Sequence, residues 1–372
     1  MKKILLIIMI SSQIFFLTGC WGAKEIQSQT YITALGLDYA EGEFIAYIQA
    51  LNFANIAKQE GASSLQQASP ILIGEAKGKT IQAALSKLEQ KSALPLYYGH
   101  VESILLSENL IKEQMKSVIE FIGQNSLLRY NIWLFGTEQD IKQILTSESF
   151  FNFPSLYTII HNPKTLTENN FFIPIEKYNK FISTYSQPVG TQIIPSLEMN
   201  KTHYSEDEEK KNIAVVTGGF VISQKQYKGW VNKKDLVGLK WFSKKATNIP
   251  LSLFEEKVSV IIQKPKKTIE VVNGYKPSYH LIVKANAVLI QNEEDISIDK
   301  IKKVLEKKIK REILKTMEKS EEINADLLNI SEKTYRYHLK KWDVSAINSI
   351  DKESIEHIEV KIHIEQNINY KH

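Results

Sequence analysis

Between Tyr31 and His100 the apolar positions change from alternation to a spacing of three and four, and the two periods predict different elements. "YITALGLDYAEGEFIAYIQALNFA" (31–54) alternates on either side of Glu41-Gly42 and predicts two strands joined by a turn. In "KTIQAALSKLEQKSALPLYYGH" (79–100), Ile81, Leu85 and Leu88 make one stripe of a helix that Pro95 brings to an end. "VESILLS" then predicts a short strand. "ENLIKEQMKSVIEFIG" predicts a second amphipathic helix with Ile111, Met115, Val118, Ile119 and Ile122 inward, and "YNIWLFG" another strand. Thr137 with Asp140 three residues later resembles a capping box for a helix carrying Ile141, Ile144 and Leu145. Strand and helix alternating in this way predict a sheet covered by helices.

From Phe151 to Glu198, prolines at 154, 163, 174, 188 and 195 break any long element, which predicts a connecting region with short strands. "YSEDEEKKN" (204–212) predicts a charged, solvated loop. Beyond it "IAVVTGGFVIS", "KVSVIIQ", "TIEVVNG" and "HLIVKANAVLIQ" are strand-like. A long helix follows from about Ser297 to Met317, with Ile298, Ile301, Leu305, Ile309 and Ile313 as its stripe, then a second helix around Ala325 to Lys340. In "HIEVKIHIEQ" Ile358, Val360, Ile362 and Ile364 alternate strictly with polar residues, which is a strand with one buried face. The fold class expected is α+β, a multi-domain ectodomain with mixed or antiparallel sheets flanked by helices.

The beginning of the chain follows neither period. Lys2 and Lys3 precede Ile4 to Leu17, a run of about 14 mostly apolar residues interrupted by Ser11, Ser12 and Gln13. A spanning helix needs roughly 20 apolar residues, so this run is too short to cross a bilayer and stay. Its order of positive, apolar and small residues is that of a secretory signal. Leu17, Thr18, Gly19 and Cys20 resemble the bacterial lipobox, which implies a diacylglyceryl group on the Cys20 sulfur and cleavage before it. Cys20 is the chain's one cysteine, so no disulfide within the chain can claim it. Two acyl chains anchor a protein stably where one holds it marginally, at about 0.8 kcal/mol per buried methylene. Trp21 beside it has two open roles, resting at the headgroup level or packing into its own domain.

The expected divisions are a signal over 1–19, an N-terminal domain over 20–200 and a C-terminal domain over 201–372, with 151–200 open as a separate connecting subdomain. The formal charge is +5, falling to +3 once Lys2 and Lys3 leave. That weak balance suits an anionic membrane surface and lacks the basic density of a nucleic-acid binder.

Catalytic chemistry has no visible cast. There is no HExxH, no paired cysteine, no GxSxG elbow and no phosphate loop, so no metal, cofactor or catalytic residue is expected. His357 and His363 share a strand face with Glu359 and Lys361 and read as a solvated outer face. His100 reads as a hydrogen-bonded structural residue, and "TGGF" (217–220) as a strand-end bulge or turn. The helix "DKIKKVLEKKIKREILK" carries eight basic residues and two acidic ones between Lys300 and Lys315. Its polar face, with Lys302, Lys303, Lys307 and Lys310, is either an ordinary solvated face or a contact for anionic headgroups or an acidic partner.

Four segments in order resemble one family, the Ger(x)C lipoproteins, C subunits of bacterial spore germinant receptors. Cys20, Trp21, Glu25, Gly36 and Asp38 lie in "GCWGAKEIQSQTYITALGLD", and Gly99 and His100 in "LPLYYGHVESILLSENL". Gly218, Phe220, Leu236, Val237 and Gly238 lie in "GGFVISQKQYKGWVNKKDLVGL", and Ala325, Asp326, Leu328 and Trp342 in "NADLLNISEKTYRYHLKKWD". Two positions depart from the pattern: Gly22, where the family commonly has an acidic residue, and Asn329, where it often has glycine. The resemblance implies a non-catalytic lipoprotein on the outer face of the spore inner membrane. It implies assembly there with two integral-membrane subunits, an A-type and a transporter-like B-type, to support nutrient-triggered germination. The competing expectations are an extracytoplasmic substrate-binding lipoprotein of a transporter and, further off, an extracytoplasmic hydrolase.

Overall fold

The computed structural model describes residues 29–51, 71–163, 172–200, 204–206, 208–243, 246–272 and 274–366. The expected signal and lipobox, with Leu17, Thr18, Gly19, Cys20 and Trp21, lie outside the described residues.

The first hairpin forms where alternation predicts it. β1 (Thr30–Ala40) and β2 (Glu43–Leu51) turn through Glu41 (φ 53°) and Gly42 (φ 77°), the positive-φ pair that matches strand twist in a tight hairpin. β3 (Ile71–Gly78) pairs antiparallel with β2. α1 (Ile81–Lys91) starts where the Thr80 side chain accepts from the Ala83 N–H, and it ends before Pro95 is reached. After β4 (Leu96–Tyr97) come β5 (Ser103–Ser107), α2 (Glu108–Gln124), β6 (Trp133–Thr137) and α3 (Ile141–Leu145). The cap of α3 departs from expectation: Asp140 accepts from the Lys142 N–H at 2.8 Å, while the Thr137 hydroxyl donates to the Leu197 carbonyl at 2.9 Å. Thr137 is buried inside the sheet and satisfies itself across strands, so the cap falls to the exposed aspartate.

The proline-rich stretch holds more regular structure than its prolines predict. α4 (Tyr178–Tyr185) is followed by β7 (Thr191–Asn200), a ten-residue strand that passes through Pro195. Its ladder to β6 is reduced to one pair, Gly136 with Ser196, beside a residue that has no N–H to donate. Among its described residues the charged loop contains only a two-residue ladder, β8 (Ser205–Glu206) with β9 (Glu209–Lys210). β10 (Ile213–Ser223) and β11 (Gln226–Asn232) then pair back onto β7. The glycine pair of "TGGF" sits in mid-strand rather than at a strand end, at a bulge between Val216 and Gly218. A Cβ on Gly218 would come within 2.3 Å of the Val231 carbonyl oxygen.

Among the described residues these strands form one nine-stranded mixed sheet in the order β11-β10-β7-β6-β5-β1-β2-β3, with β4 beside β1. Both faces are buried, and alternation sorts them. Leu35, Leu37, Ile104 and Leu106 face α1 and α2, whereas Ala34 and Leu105 face α3.

A short α5 (Leu239–Phe242) leads into the second sheet, β12 (Asn248–Leu253), β13 (Val258–Val272), β14 (Ser278–Asn292) and β15 (Ile355–Gln366), ordered as numbered. Pro250 is tolerated because β12 is an edge strand. β15 runs parallel to β14, so a crossover must join them. It consists of α6 (Ile298–Glu322), α7 (Ser331–His338) and α8 (Val344–Asn348). Ile301, Leu305, Ile309 and Ile313 are fully buried along α6, each contributing about 1.5–3 kcal/mol of apolar burial. The expected helix from Ala325 is shorter: Asn324 (φ 52°) and Asn329 (φ 51°) take the backbone out of the helical region until Ile330. The core of the second sheet is continuous with the α3 face of the first, one cluster running from Ala34 to Ile362.

Candidate interaction surfaces and cleft

The family-signature residues are joints of the fold. Gly99 lets the chain pass Tyr97, whose ring would lie 2.7 Å from any Cβ there. His100 stands edge-on to Tyr31 and Tyr97, at 5.2 and 5.8 Å between ring centroids. The Gly238 N–H donates to the Thr316 hydroxyl at 2.9 Å, and that hydroxyl donates to the Asp235 carbonyl at 2.7 Å, which pins α5 to α6. Asp326 is buried and holds the first residue of α7: one carboxylate oxygen accepts from the Ser331 N–H at 2.8 Å and from its hydroxyl at 2.6 Å. Burial pushes the Asp326 carboxyl above its ordinary range, opposed by those hydrogen bonds. Trp342 is buried and donates to the Tyr275 carbonyl at 3.2 Å. Gly99 and His100 also line a polar cleft.

α6 divides its basic residues into two sets. Lys308 donates to the Ser252 carbonyl, Lys315 pairs with Asp235, and Lys300 lies over the Phe254 ring. Lys302, Lys303, Lys307 and Lys310, all exposed, have no hydrogen bond or ion pair with a described residue. The structure therefore places the four expected contact lysines on the open side of the helix, opposite the stripe that packs on the sheet. A second exposed feature is a run of aromatic rings, Phe150, Phe151, Phe153 and Tyr157, with Tyr204 against Phe150 at 5.0 Å. Contiguous exposed apolar surface of this kind marks contact sites.

A polar cleft of about 430 Å³ lies at the amino ends of β5 and β6, and of its lining the sequence singled out only Gly99 and His100. Glu102, Arg129, Asn131, Trp133, His161 and Lys177 line it. Glu102 precedes β5, Arg129, Asn131 and Trp133 alternate into β6, and His161 and Lys177 come from later segments of the chain. Behind the wall, Gln49 is fixed by donating to the Leu145 carbonyl at 2.6 Å while its oxygen accepts from the Thr33 hydroxyl at 2.9 Å. That same oxygen lies 2.8 Å from His161 Nε2. Lys177 donates to Asn131 and sits 4.8 Å above the Trp133 ring.

Among the described residues no three His, Cys, Asp or Glu side chains converge as a metal site, and no helix is long and apolar enough to cross a membrane.

Residues 22–199 match the family described as spore germination protein N-terminal domain, and residues 217–371 that described as spore germination B3/GerAC-like, C-terminal. Neither is an enzyme family. Spore germination protein KC of Bacillus subtilis (strain 168) is 21% identical over 390 residues, covering 98% of this chain and 95% of that protein. Spore germination protein B3 of the same organism is 23% identical over 350 residues, covering 88% and 87%. The crystal structure of the GerBC protein superposes with a TM-score of 0.53 at 19% identity, over 90% of this chain and 97% of that one.

Proposed function

The chain belongs to the Ger(x)C family of spore germination proteins, and from that premise we propose that it is a lipid-anchored, non-catalytic subunit of a spore germinant receptor. Cys20 carries the lipid, with Leu17, Thr18 and Gly19 directing its attachment, and the ectodomain stands on the outer face of the spore inner membrane. There it assembles with two integral-membrane subunits, an A-type and a transporter-like B-type, to support nutrient-triggered germination. The two family matches, in order and together spanning nearly the whole chain, carry this reading.

The open lysine face of α6, with Lys302, Lys303, Lys307 and Lys310, supports a contact with anionic headgroups, which attract such charges at about 1 kcal/mol per side chain. Trp21 directly follows the anchor and is placed at headgroup depth in this arrangement. The exposed rings from Phe150 to Tyr157 supply apolar surface for a partner subunit.

The test is fractionation of spore membranes with and without the Cys20→Ala substitution, combined with affinity capture. The native protein is expected in the membrane fraction at high salt, bringing two multi-spanning proteins with it. A variant that stays in the membrane at high salt overturns the anchor, and capture without membrane partners overturns the assembly.

A further inference from the structure

The chain enters the first sheet at Thr30, and strand register fixes which end of the sheet that is. Ala34 of β1 pairs with Ser103 of β5, and Ser103 pairs with Trp133 of β6, both in parallel. The amino ends of β1, β5 and β6 therefore lie together, with the loops that lead into β4 and β6 beside them. The Thr30 N–H donates to the Pro95 carbonyl at 3.0 Å, which holds the loop before β4 against the entry point.

This end presents large apolar side chains to solvent. Leu94, Tyr97, Leu127 and Tyr130 are 43, 44, 58 and 52% exposed. Their positions are braced rather than loose. The Tyr97 ring stands edge-on to Tyr31 at 5.7 Å, and the Leu127 N–H donates to the Asn125 side-chain oxygen at 2.9 Å. Tyr130 stacks on the buried Tyr178 at 5.8 Å, and its hydroxyl donates to the Gly123 carbonyl at 3.2 Å. Two cations stand among them, Lys91 in the last turn of α1 and Arg129 between Leu127 and Tyr130. Both are exposed, and neither has a hydrogen bond or ion pair with a described residue. Tyrosine rings and leucines beside open cations suit a membrane–water boundary, where rings rest at headgroup level and cations meet anionic lipid.

Chain length favours the same end. Thr30 lies ten residues after Cys20, which spans at most about 33–36 Å. β1 has 11 residues and is itself about 33 Å from first to last. The β1–β2 turn at the far end would reach the bilayer only if a fully extended connection ran straight back past the whole strand. The near end meets it with chain to spare.

Resting on the Cys20 anchor proposed above, we infer that the ectodomain lays the amino end of its first sheet on an anionic bilayer. Leu94, Tyr97, Leu127 and Tyr130 sit at headgroup depth, and Lys91 and Arg129 meet lipid phosphates. The contact orients a body that the lipid holds and does not replace the anchor, because four interfacial side chains bury far less apolar surface than two acyl chains.

The experiment is nitroxide labelling of the full-length lipoprotein in vesicles of phosphatidylcholine and phosphatidylglycerol. The Cys20 sulfur carries the lipid, so a cysteine introduced elsewhere is the one free thiol. Leu94→Cys and Leu127→Cys label the near end, Lys79→Cys the far end, at the close of β3, and Glu113→Cys the outer side of α2. All four side chains are exposed, so the substitutions are compatible with folding. Labels at 94 and 127 are expected to collide more with oxygen, which concentrates in lipid, than with a water-soluble nickel chelate. Labels at 79 and 113 are expected to show the reverse. Co-sedimentation with the vesicles reports the anchor separately. Protein that does not sediment overturns the anchor and this inference with it. Protein that sediments with the labels at 94 and 127 in water, or with all four labels alike, overturns this inference alone. Labels at 94 and 127 shielded from both reagents also overturn it, since a second copy of the chain then covers this end. An unchanged oxygen preference in vesicles of phosphatidylcholine alone overturns the part given to Lys91 and Arg129.

Discussion

Asn329 pairs with both backbone groups of Thr191: its side-chain oxygen accepts from the Thr191 N–H at 2.7 Å, and its side-chain nitrogen donates to the Thr191 carbonyl at 3.0 Å. Thr191 opens β7 in the large sheet, and Asn329 lies in the turn between α6 and α7. One amide thus acts as a short strand edge that joins the two halves of the chain. It does so at φ 51°, a conformation in which asparagine follows only glycine in tolerance. This accounts for asparagine where the family often has glycine.

Asn329→Gly keeps the backbone comfortable and loses the two hydrogen bonds, a cost of about 1–2 kcal/mol. Asn329→Ala loses the same bonds and adds about 1–2 kcal/mol of left-handed strain. Guanidinium midpoints should therefore fall in the order native, glycine variant, alanine variant. Equal midpoints for the two variants would show that φ at this turn is not constrained.

Asp326 ties stability to pH. Its folded-state affinity for a proton is raised above the ordinary aspartate value, so the folded chain binds that proton more tightly than the unfolded chain. The protonated group therefore favours the fold. That contribution is fully present below the ordinary carboxylate range and is lost as pH rises through the raised value. Asp326→Asn should flatten the stability profile across that window. Asp326→Ala strands the Ser331 N–H and hydroxyl and should cost about 2–3 kcal/mol. Denaturation series at several pH values decide both, and an unchanged slope in the asparagine variant would falsify the assignment.

Gly36 lies where α3 crosses β1, and a Cβ there would come within 2.3 Å of Ile141 Cγ2 and 3.1 Å of Tyr47 Cβ. Ile141 is β-branched and buried, so it cannot swing aside. Gly36→Ala should cost about 1–3 kcal/mol. The added Ile141→Ala change should then cost less in the Gly36→Ala background than in the native one, because the cavity and the new methyl group compensate. A double-mutant cycle in stability with no coupling rules out that crossing.

The open face of α6 makes a claim separable from the anchor. With Cys20→Ala removing the lipid, binding to anionic vesicles should depend on Lys302, Lys303, Lys307 and Lys310 and weaken as salt rises. Their joint replacement by glutamine should abolish it and leave thermal stability unchanged, since they hold no described residue. Unaltered vesicle binding would return α6 to an ordinary solvated helix.

Local pattern determined what one element's own period can express. The Glu41-Gly42 hairpin, the stripes of α1, α2 and α6, and the alternation of β15 follow from side chains that must bury one face. The family segments were legible because each is contiguous. Strand order was not. Nothing in "IAVVTGGFVIS" says that β10 joins β7 in the first sheet, or that Pro195 can occupy a strand whose ladder to β6 is one pair long. Pairing between strands is set by which buried faces close on each other, and that is a property of the whole chain. The cleft is the clearest case. Glu102, Arg129, His161 and Lys177 are unremarkable where each stands in the sequence, and only the convergence of their segments at one end of β5 and β6 brings them to one cleft.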